Sequence, residues 1–540
     1  MATPLRVIIV GGVAGGMSAA TRLRRLNEHA SILVLERGSH VSFANCGLPY
    51  HLSDTIADRE SLLLHTPETL AARFCLDVRA RHEVLGINRA AHTVSVRDLD
   101  SGTTEDFVYD KLILSPGAAA VRPPLPGVDK AFVLRSVTDL DHLKAAVVGR
   151  GDDVVVVGAG FIGVEVAENL VGAGKRVTII EAAPQVLPPL DAEMAAIVAQ
   201  ELHRHGVTVH LGTGVASITD AAVTLTDGRV VPADLVVLAV GVRPEDGLAR
   251  TAGLDVNERG GIVVSETLQT NDPDIYAVGD AALVTDPLGH AALVALAWGA
   301  NRQGRLAADH IMGHPIRFGS HPATAIAKVF DLAVASTGLS ERQLRAQGIN
   351  PTVVHTHPAS HAGYYPGAET IHIKLLFDAV TGRIYGAQAV GGEGTDKRID
   401  VLATAMHAGL RADQLADIPL AYAPPYGSAK DPINMLGYIA ENLMDGLAHT
   451  VQWHELATDT RMLIDVRDKT EYDAGAIPGA INIPLPELRD HLHDLEGRQV
   501  IVYCQVGMRG HTAAMLLAGE GINAVNLDGG YLTWLSATAP

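Results

Sequence analysis

The sequence predicts an α/β protein: two dinucleotide-binding domains, an α+β module and a small C-terminal α/β domain. Three observations carry that prediction. A strand, a glycine turn and a helix follow one another in LRVIIVGGVAGGMSAATRLRRL and again in DDVVVVGAGFIGVEVAENLVGAGKRVTIIE, a βαβ nucleotide unit each time. Hydrophobic residues make up 47% of the 540 and aromatics only 4%, with 54 glycines, which fits buried parallel strands better than an aromatic-rich β sandwich. After residue 446 the composition shifts and a new alternation begins, with RMLIDVRD, AINIPL, QVIVYCQVGMRG and NAVNLDGG as strands or strand ends and HTAAMLLAGEG as a helix.

In chain order, SILVLERG supplies the second strand of the first unit and ends in Glu36, as the strand of the second unit ends in Glu181. YDKLILSPGAAAVRPPLPG is a strand followed by Gly- and Pro-rich turns, where the chain crosses between domains. TNDPDIYAVGDAA reads as a turn, a short strand and a Gly-Asp at its end. The segment from 321 to 446 mixes strands, TVVHTHP and IHIKLLFD, with the helix KRIDVLATAMHAG, and forms a separate module.

A formal net charge of −19 argues against a non-specific grip on nucleic acid or on an anionic membrane, both of which need a basic face. No apolar run approaches the roughly 20 residues of a membrane span, and MATPLRVIIVGG enters a strand directly, so a soluble cytoplasmic protein is expected. The three cysteines, Cys46, Cys75 and Cys504, lie far apart with no CxxC pair, which indicates neither a disulfide framework nor a metal site.

The second glycine motif, with Gly158, Gly160 and Gly163, fits GxGxxG in full. Such a turn lets backbone approach a pyrophosphate at the positive end of the following helix. Glu181 would accept the ribose hydroxyls and repel a 2′-phosphate, which predicts NADH over NADPH, with Lys175 and Arg176 nearby acting the other way. The first motif runs from Gly11 to Gly16 and carries Val13 where the middle glycine would stand, so it is the weaker match. Glu36 and the distant IYAVGD strengthen it, because an extended flavin needs both ends held. Gly11, Gly16, Glu36, Arg37, Ser115 and Asp280 are the candidate flavin residues, with Asp280 at the ribityl or pyrophosphate region.

VSFANCGLPYHLSD holds Cys46 near the opening of a helix. Only a thiolate attacks sulfur well, and a helix N-terminus or a positive setting favours it. Cys75, in AARFCLDVR, reads as a quiet packed thiol. Arg22, Arg24 and Arg25 cluster late in the first helix, Arg22 and Arg25 on one face; they are either a solvated helix end or anion ligands.

Over residues 5 to 446 the chain resembles the two-dinucleotide flavoprotein disulfide reductases. That resemblance implies an FAD domain in two parts (1–150 and 266–320), an inserted NAD(P)H domain (151–265) and a dimerisation domain (321–446). Most of those enzymes use a CxxxxC pair, absent here; SFANCG resembles the single-cysteine branch of NADH oxidases, NADH peroxidases and coenzyme A disulfide reductases. The oxidases and peroxidases carry a histidine in the first glycine loop, where this chain has Ala14. SFANCGLPY, LAWGANRQG, HAGYYPGA and LAYAPPYGSAKDPINMLGY look like the coenzyme A disulfide reductases. The resemblance implies a homodimer in which Arg22, Arg25, Ser42, Asn45, Asn301 and Lys430 bind coenzyme A. It also implies that the partner subunit supplies Tyr422 and one of Tyr364 and Tyr365, of which Tyr365 is taken as the catalytic candidate.

In VIVYCQVGMRGHTAAMLL, Cys504 follows a strand and Arg509 stands five positions later, before a helix. Such a loop turns its N–H groups inward as an anion cradle, and a phosphatase loop would hold one more residue. With LIDVRDKTEYDAGAIPGAINIPL and LDGGYLTW, residues 455 to 536 resemble the rhodanese family, which implies a domain over 453–540 with a persulfide on Cys504 and Arg467 and Arg509 as helpers. Together these readings predict an NADH-dependent reductase of coenzyme A persulfide, coenzyme A disulfide or polysulfide. Cys46 is its nucleophile and Cys504 its carrier of sulfane sulfur. The competing readings are an NADH oxidase that cycles Cys46 through sulfenic acid, and a redox or sulfur sensor.

Overall fold

The strand Arg6–Val10 lies at the centre of a five-stranded parallel sheet whose order is Ile275–Ala277, Lys111–Leu114, Arg6–Val10, Ser31–Leu35, Asp77–Arg79. The computed structural model describes residues 4–538. Val7 and Ile9 pack on one face of this sheet with the helix Ala14–Leu26, and Ile8 and Val10 on the other, so the strand is apolar along its whole length, as a strand covered on both sides must be. A second parallel sheet, ordered Thr208–His210, Arg176–Ile180, Asp153–Val157, Leu235–Leu238, repeats the plan with the helix Phe161–Gly172 after its glycine turn. Each of these sheets is accompanied by a three-stranded antiparallel sheet, within 82–108 and 215–232 respectively.

The chain divides into two units. One takes in the chain up to Ala182 and then Gly206–Ala323; the other takes in Ala183–His205 and the chain from Thr324 onward. The helix Ala192–Arg204 therefore packs with the second unit, although residues 151–265 read as one continuous nucleotide domain in the sequence.

In the second unit a five-stranded antiparallel sheet runs Ala325–Val329, Leu332–Gly338, Ile384–Gly391, Ile371–Phe377, Thr352–Thr356. The helices Thr395–Ala408 and Pro432–Met444 cover one face, and Ile399, Leu402, Leu436 and Ala440 join Ile373, Leu375 and Ala389 in a single core. A smaller parallel sheet comes next, Thr450–Val451, Asn523–Leu527, Gln499–Tyr503, Met462–Asp465, Ile481–Asn482, with apolar clusters on both of its faces. The four strands and the helix Met508–Gly519 expected from the sequence are all present.

Candidate active site

The two glycine turns are built alike. Gly11 and Gly158 both adopt φ +102°, and a Cβ there would lie 2.0 Å from the Ser115 carbonyl oxygen in the first turn and 2.4 Å from that of Ala239 in the second. Gly16 and Gly163 let the following helix close on the turn, since a Cβ would sit 2.0 Å from the carbonyl oxygens of Gly11 and Gly158 respectively. The two outer glycines of the first motif therefore keep the contacts that require glycine, and Val13 differs only at the middle position. Gly160 caps the second helix with open space where its Cβ would be, the room a close-approaching pyrophosphate needs.

Both acidic residues are already oriented. Glu36 accepts from the Gly12 and Gly38 N–H groups at 2.8 and 2.7 Å, and Glu181 accepts from Ala159 N–H at 2.7 Å. Each carboxylate is pinned at a strand end beside its own glycine turn, where an adenosine ribose is held in such units.

A cavity of about 740 Å³ brings the first turn together with Cys46. Gly12, Glu36, Ser115 and Asp280 line it, and so do Ser42, Asn45, Cys46 and Asn301. Asn45–Gly47 forms a single tight turn that leads into the five-residue helix Leu48–Leu52. Cys46 does open a helix, as expected, but one too short for a strong N-terminal field. Cys46 is exposed to the cavity while protein crowds its other side. That desolvation and the Glu165 carboxylate push its thiol up, and Arg135 pulls it back down.

Around Cys46 stand groups for which the sequence carried no signal. Arg135 pairs with Asp280 at 2.5 Å, and the Asn45 amide lies against it, its oxygen accepting from the guanidinium at 3.0 Å and its nitrogen donating to the Arg135 carbonyl at 3.1 Å. Glu165, on the helix of the second nucleotide unit, accepts from the Tyr50 hydroxyl at 3.3 Å; burial raises its carboxyl to about 7 and the Tyr50 phenol to about 12. Ser42 stands at φ +48°, a strained setting for a non-glycine residue, held by bonds from its N–H to the Gly12 carbonyl and from Leu64 N–H to its own carbonyl. Ser18 donates to Asn301 Oδ1 at 2.5 Å, and Arg73 and His65 stand on the cavity wall.

One cysteine departs from expectation, and three arginines stand outside the lining of the cavity. Arg22 is tied to Asp309 at 2.6 Å and Arg37 to Glu245 at 3.0 Å; neither lines the cavity, nor does Arg25, which is exposed on the last helical turn. Cys75 is exposed rather than packed: it ends the helix Pro67–Phe74 in a left-handed conformation, φ +50°, which takes it off the buried face.

In the second unit Tyr364 and Tyr422 meet through their hydroxyls at 3.0 Å and both are exposed. Tyr365 instead lies edge-on to the buried His361 at 5.6 Å. Lys430 is exposed nearby in sequence.

Cys504 sits at the base of its loop, 1% exposed, between the strand Gln499–Tyr503 and the helix Met508–Gly519. Gly507 at φ +94° turns the chain into that helix. The two expected helpers are already engaged. Arg467 is buried, chelates Asp465 at 3.0 and 2.7 Å, and donates to Gln505 Oε1 and the Gly475 carbonyl, while Arg509 holds Glu471 through two 2.7 Å bonds. They brace the loop and shape its mouth.

Residues 5–304 match the family model of pyridine nucleotide-disulphide oxidoreductases, more than half of the chain. The chain belongs to that family. Residues 324–431 match the family's dimerisation domain, and residues 450–537 match the rhodanese-like domain. A coenzyme A disulfide reductase of Staphylococcus aureus is 38% identical over 443 residues, 81% of this chain and all of that one. The reduced CoADR-RHD of Bacillus anthracis is 46% identical, with a TM-score of 0.97 over 99% of this chain and 98% of that one. An NAD-dependent persulfide reductase of A. fulgidus is 34% identical, with a TM-score of 0.91 over 98% and 100%. This oxidoreductase is thus a flavoprotein with a C-terminal rhodanese domain. The family implies FAD and NAD(P)H, and the two glycine turns with their pinned carboxylates fit them. Among the described residues no helix is long and apolar enough to cross a membrane.

Proposed function

We propose that this oxidoreductase uses NADH to reduce coenzyme A persulfide or coenzyme A disulfide through Cys46, with Cys504 carrying the sulfane sulfur. The observation that carries the reading is the composition of the cavity around Cys46. It joins a dinucleotide turn to Ser42, Asn45 and Asn301 and contains no second cysteine among the described residues, so the sulfur that Cys46 pairs with must come from the substrate. Arg73 and His65 on its wall offer groups that suit a phosphate-bearing substrate, beside the candidates Arg22 and Arg25. Glu181 supports NADH over NADPH.

In the proposed cycle the Cys46 thiolate attacks a disulfide or persulfide sulfur. With coenzyme A disulfide the old S–S bond breaks, coenzyme A leaves as a thiolate, and a Cys46–coenzyme A disulfide forms. With a persulfide, attack on the inner sulfur gives the same mixed disulfide and expels hydrosulfide, and attack on the outer sulfur leaves a Cys46 persulfide and a coenzyme A thiolate. The bound flavin supplies two-electron transfer from NADH to sulfur. Glu165, hydrogen-bonded to Tyr50, is mostly protonated only below about pH 7, and above that its negative charge opposes the Cys46 thiolate. Tyr364 is the better assignment than Tyr365 for the tyrosine that accompanies Tyr422 from the partner subunit in a homodimer, because it shares a hydrogen bond with Tyr422.

The test is anaerobic NADH consumption by the holoenzyme with coenzyme A persulfide and coenzyme A disulfide in parallel, with sulfide recorded. Faster turnover of the persulfide with stoichiometric sulfide is the expected result. No consumption with either substrate, but consumption on admitting air, would replace this reading with an oxidase.

A further inference from the structure

A buried cluster of charges joins the rhodanese domain to the dimerisation-domain sheet, and no step of the proposed cycle uses it. His355, on the strand Thr352–Thr356, has both ring nitrogens facing carboxylates: Nδ1 lies 2.6 Å from Asp528 Oδ2 and Nε2 lies 3.0 Å from Glu193 Oε1. A neutral imidazole has one N–H and satisfies one acceptor; this geometry requires the imidazolium. All three side chains are almost wholly buried. Glu193 is shared with Lys374, itself fully buried, which also contacts Asp191 at 2.9 Å and Glu341 at 2.7 Å. Asp528 in turn accepts from the His355 backbone N–H at 2.9 Å and from Gln452 Nε2 at 3.2 Å.

Asp528 opens the segment DGGYLTW, whose two glycines are each required by a different neighbour. A Cβ on Gly529 would lie 2.7 Å from His355 Cβ; a Cβ on Gly530 would lie 2.4 Å from the Cys504 carbonyl oxygen and 2.8 Å from Gly507 N. Tyr531 N–H then donates to the Cys504 carbonyl at 2.8 Å and Leu532 N–H to that of Gln505 at 3.0 Å. One short step of chain therefore carries the His355 contact at one end and the backbone of the cysteine loop at the other. Beyond it, His357 Nε2 meets Thr533 Oγ1 at 2.7 Å, and the helix Gly530–Thr538 packs on Ala192–Arg204.

We propose that His355 and Asp528, backed by Glu193 and Lys374, form a latch that fixes the Cys504 loop to the dimerisation domain, and that both act as positioning residues for the Cys504 thiol. The rhodanese domain is then a rigidly mounted sulfur carrier rather than a tethered one. Removing His355 strands the Asp528 carboxylate, removing Asp528 leaves the imidazolium only Glu193, which Lys374 already shares, and removing both leaves Glu193 with Lys374.

The proposal rests on Cys504 as the sulfur carrier, so the experiment separates the two. Full-length holoenzyme and the variants Asp528→Asn, His355→Gln and their combination are titrated for iodoacetamide alkylation of the Cys504 peptide by mass spectrometry, with the Cys46 peptide as internal reference. Sulfur transfer from thiosulfate to cyanide is measured on the same samples. The single variants are expected to shift the Cys504 profile upward by about one pH unit, a roughly tenfold loss of thiolate at neutral pH, and to slow sulfur transfer in step. The Cys46 profile should not move, and the double variant should return to within about twofold of the parent. If a single variant fails to accumulate, recovery of yield in the double variant is the same result. An unmoved Cys504 profile, or a double variant as impaired as Asp528→Asn alone, overturns the latch. A parent protein that moves no sulfur from thiosulfate while the profile still shifts overturns the carrier and leaves the latch standing.

Discussion

Glu165→Gln isolates the electrostatics of the reducing site. Burial raises the Glu165 carboxyl from 4.5 to about 7, and at about 1.4 kcal/mol per pH unit that gap is worth about 3 kcal/mol. Above pH 4.5 the unfolded chain loses the proton while the folded one keeps it, so stability falls between pH 4.5 and 7 and the penalty is constant beyond. Glutamine keeps the shape and an acceptor for Tyr50 but has no proton to lose. The variant should equal the parent in Tm at about pH 4 and exceed it at about pH 8. The same change removes a negative neighbour from Cys46, so the pH midpoint of Cys46 alkylation in the holoenzyme should fall. A Tm difference independent of pH, together with an unmoved Cys46 midpoint, would refute the assignment of Glu165 as the group that holds that thiol up.

Cys46→Ser should abolish NADH-dependent disulfide reduction with flavin retained, whereas Cys504→Ser should leave coenzyme A disulfide turnover intact and lower turnover of sulfane donors; unchanged donor turnover would exclude the relay. Tyr364→Phe should slow reduction about as much as Tyr422→Phe, by roughly fivefold for one hydrogen bond between neutral groups, while Tyr365→Phe leaves kcat near the parent's. Arg467→Met strands the fully buried Asp465 and should destabilise the rhodanese domain by about 3–5 kcal/mol, read as an early unfolding transition while NADH-dependent disulfide reduction at Cys46 persists.

Much of the fold was legible in the sequence because its signals are local. A strand, a glycine turn, a helix and a strand-end acid lie within some thirty residues of one another in a βαβ unit, and backbone sterics alone tie them together. The same holds for Cys504 between its strand and helix and for the lone Cys46. What the sequence could not supply was any pairing between distant segments. The partners of Arg22 and Arg37, Asp309 and Glu245, arrive from far along the chain. Arg135 and Glu165 carried no signal in the sequence, and only folding brings them to the cysteine. His355, Lys374 and Asp528 read as unremarkable strand and turn residues, yet the fold removes them from water, and a buried charge survives there only if its counter-charges are built in. Local steric rules thus determined the elements and placed the two candidate thiols at their turns, while tertiary structure decided which charges face the cavity, which cancel each other, and what holds the Cys504 loop in its setting.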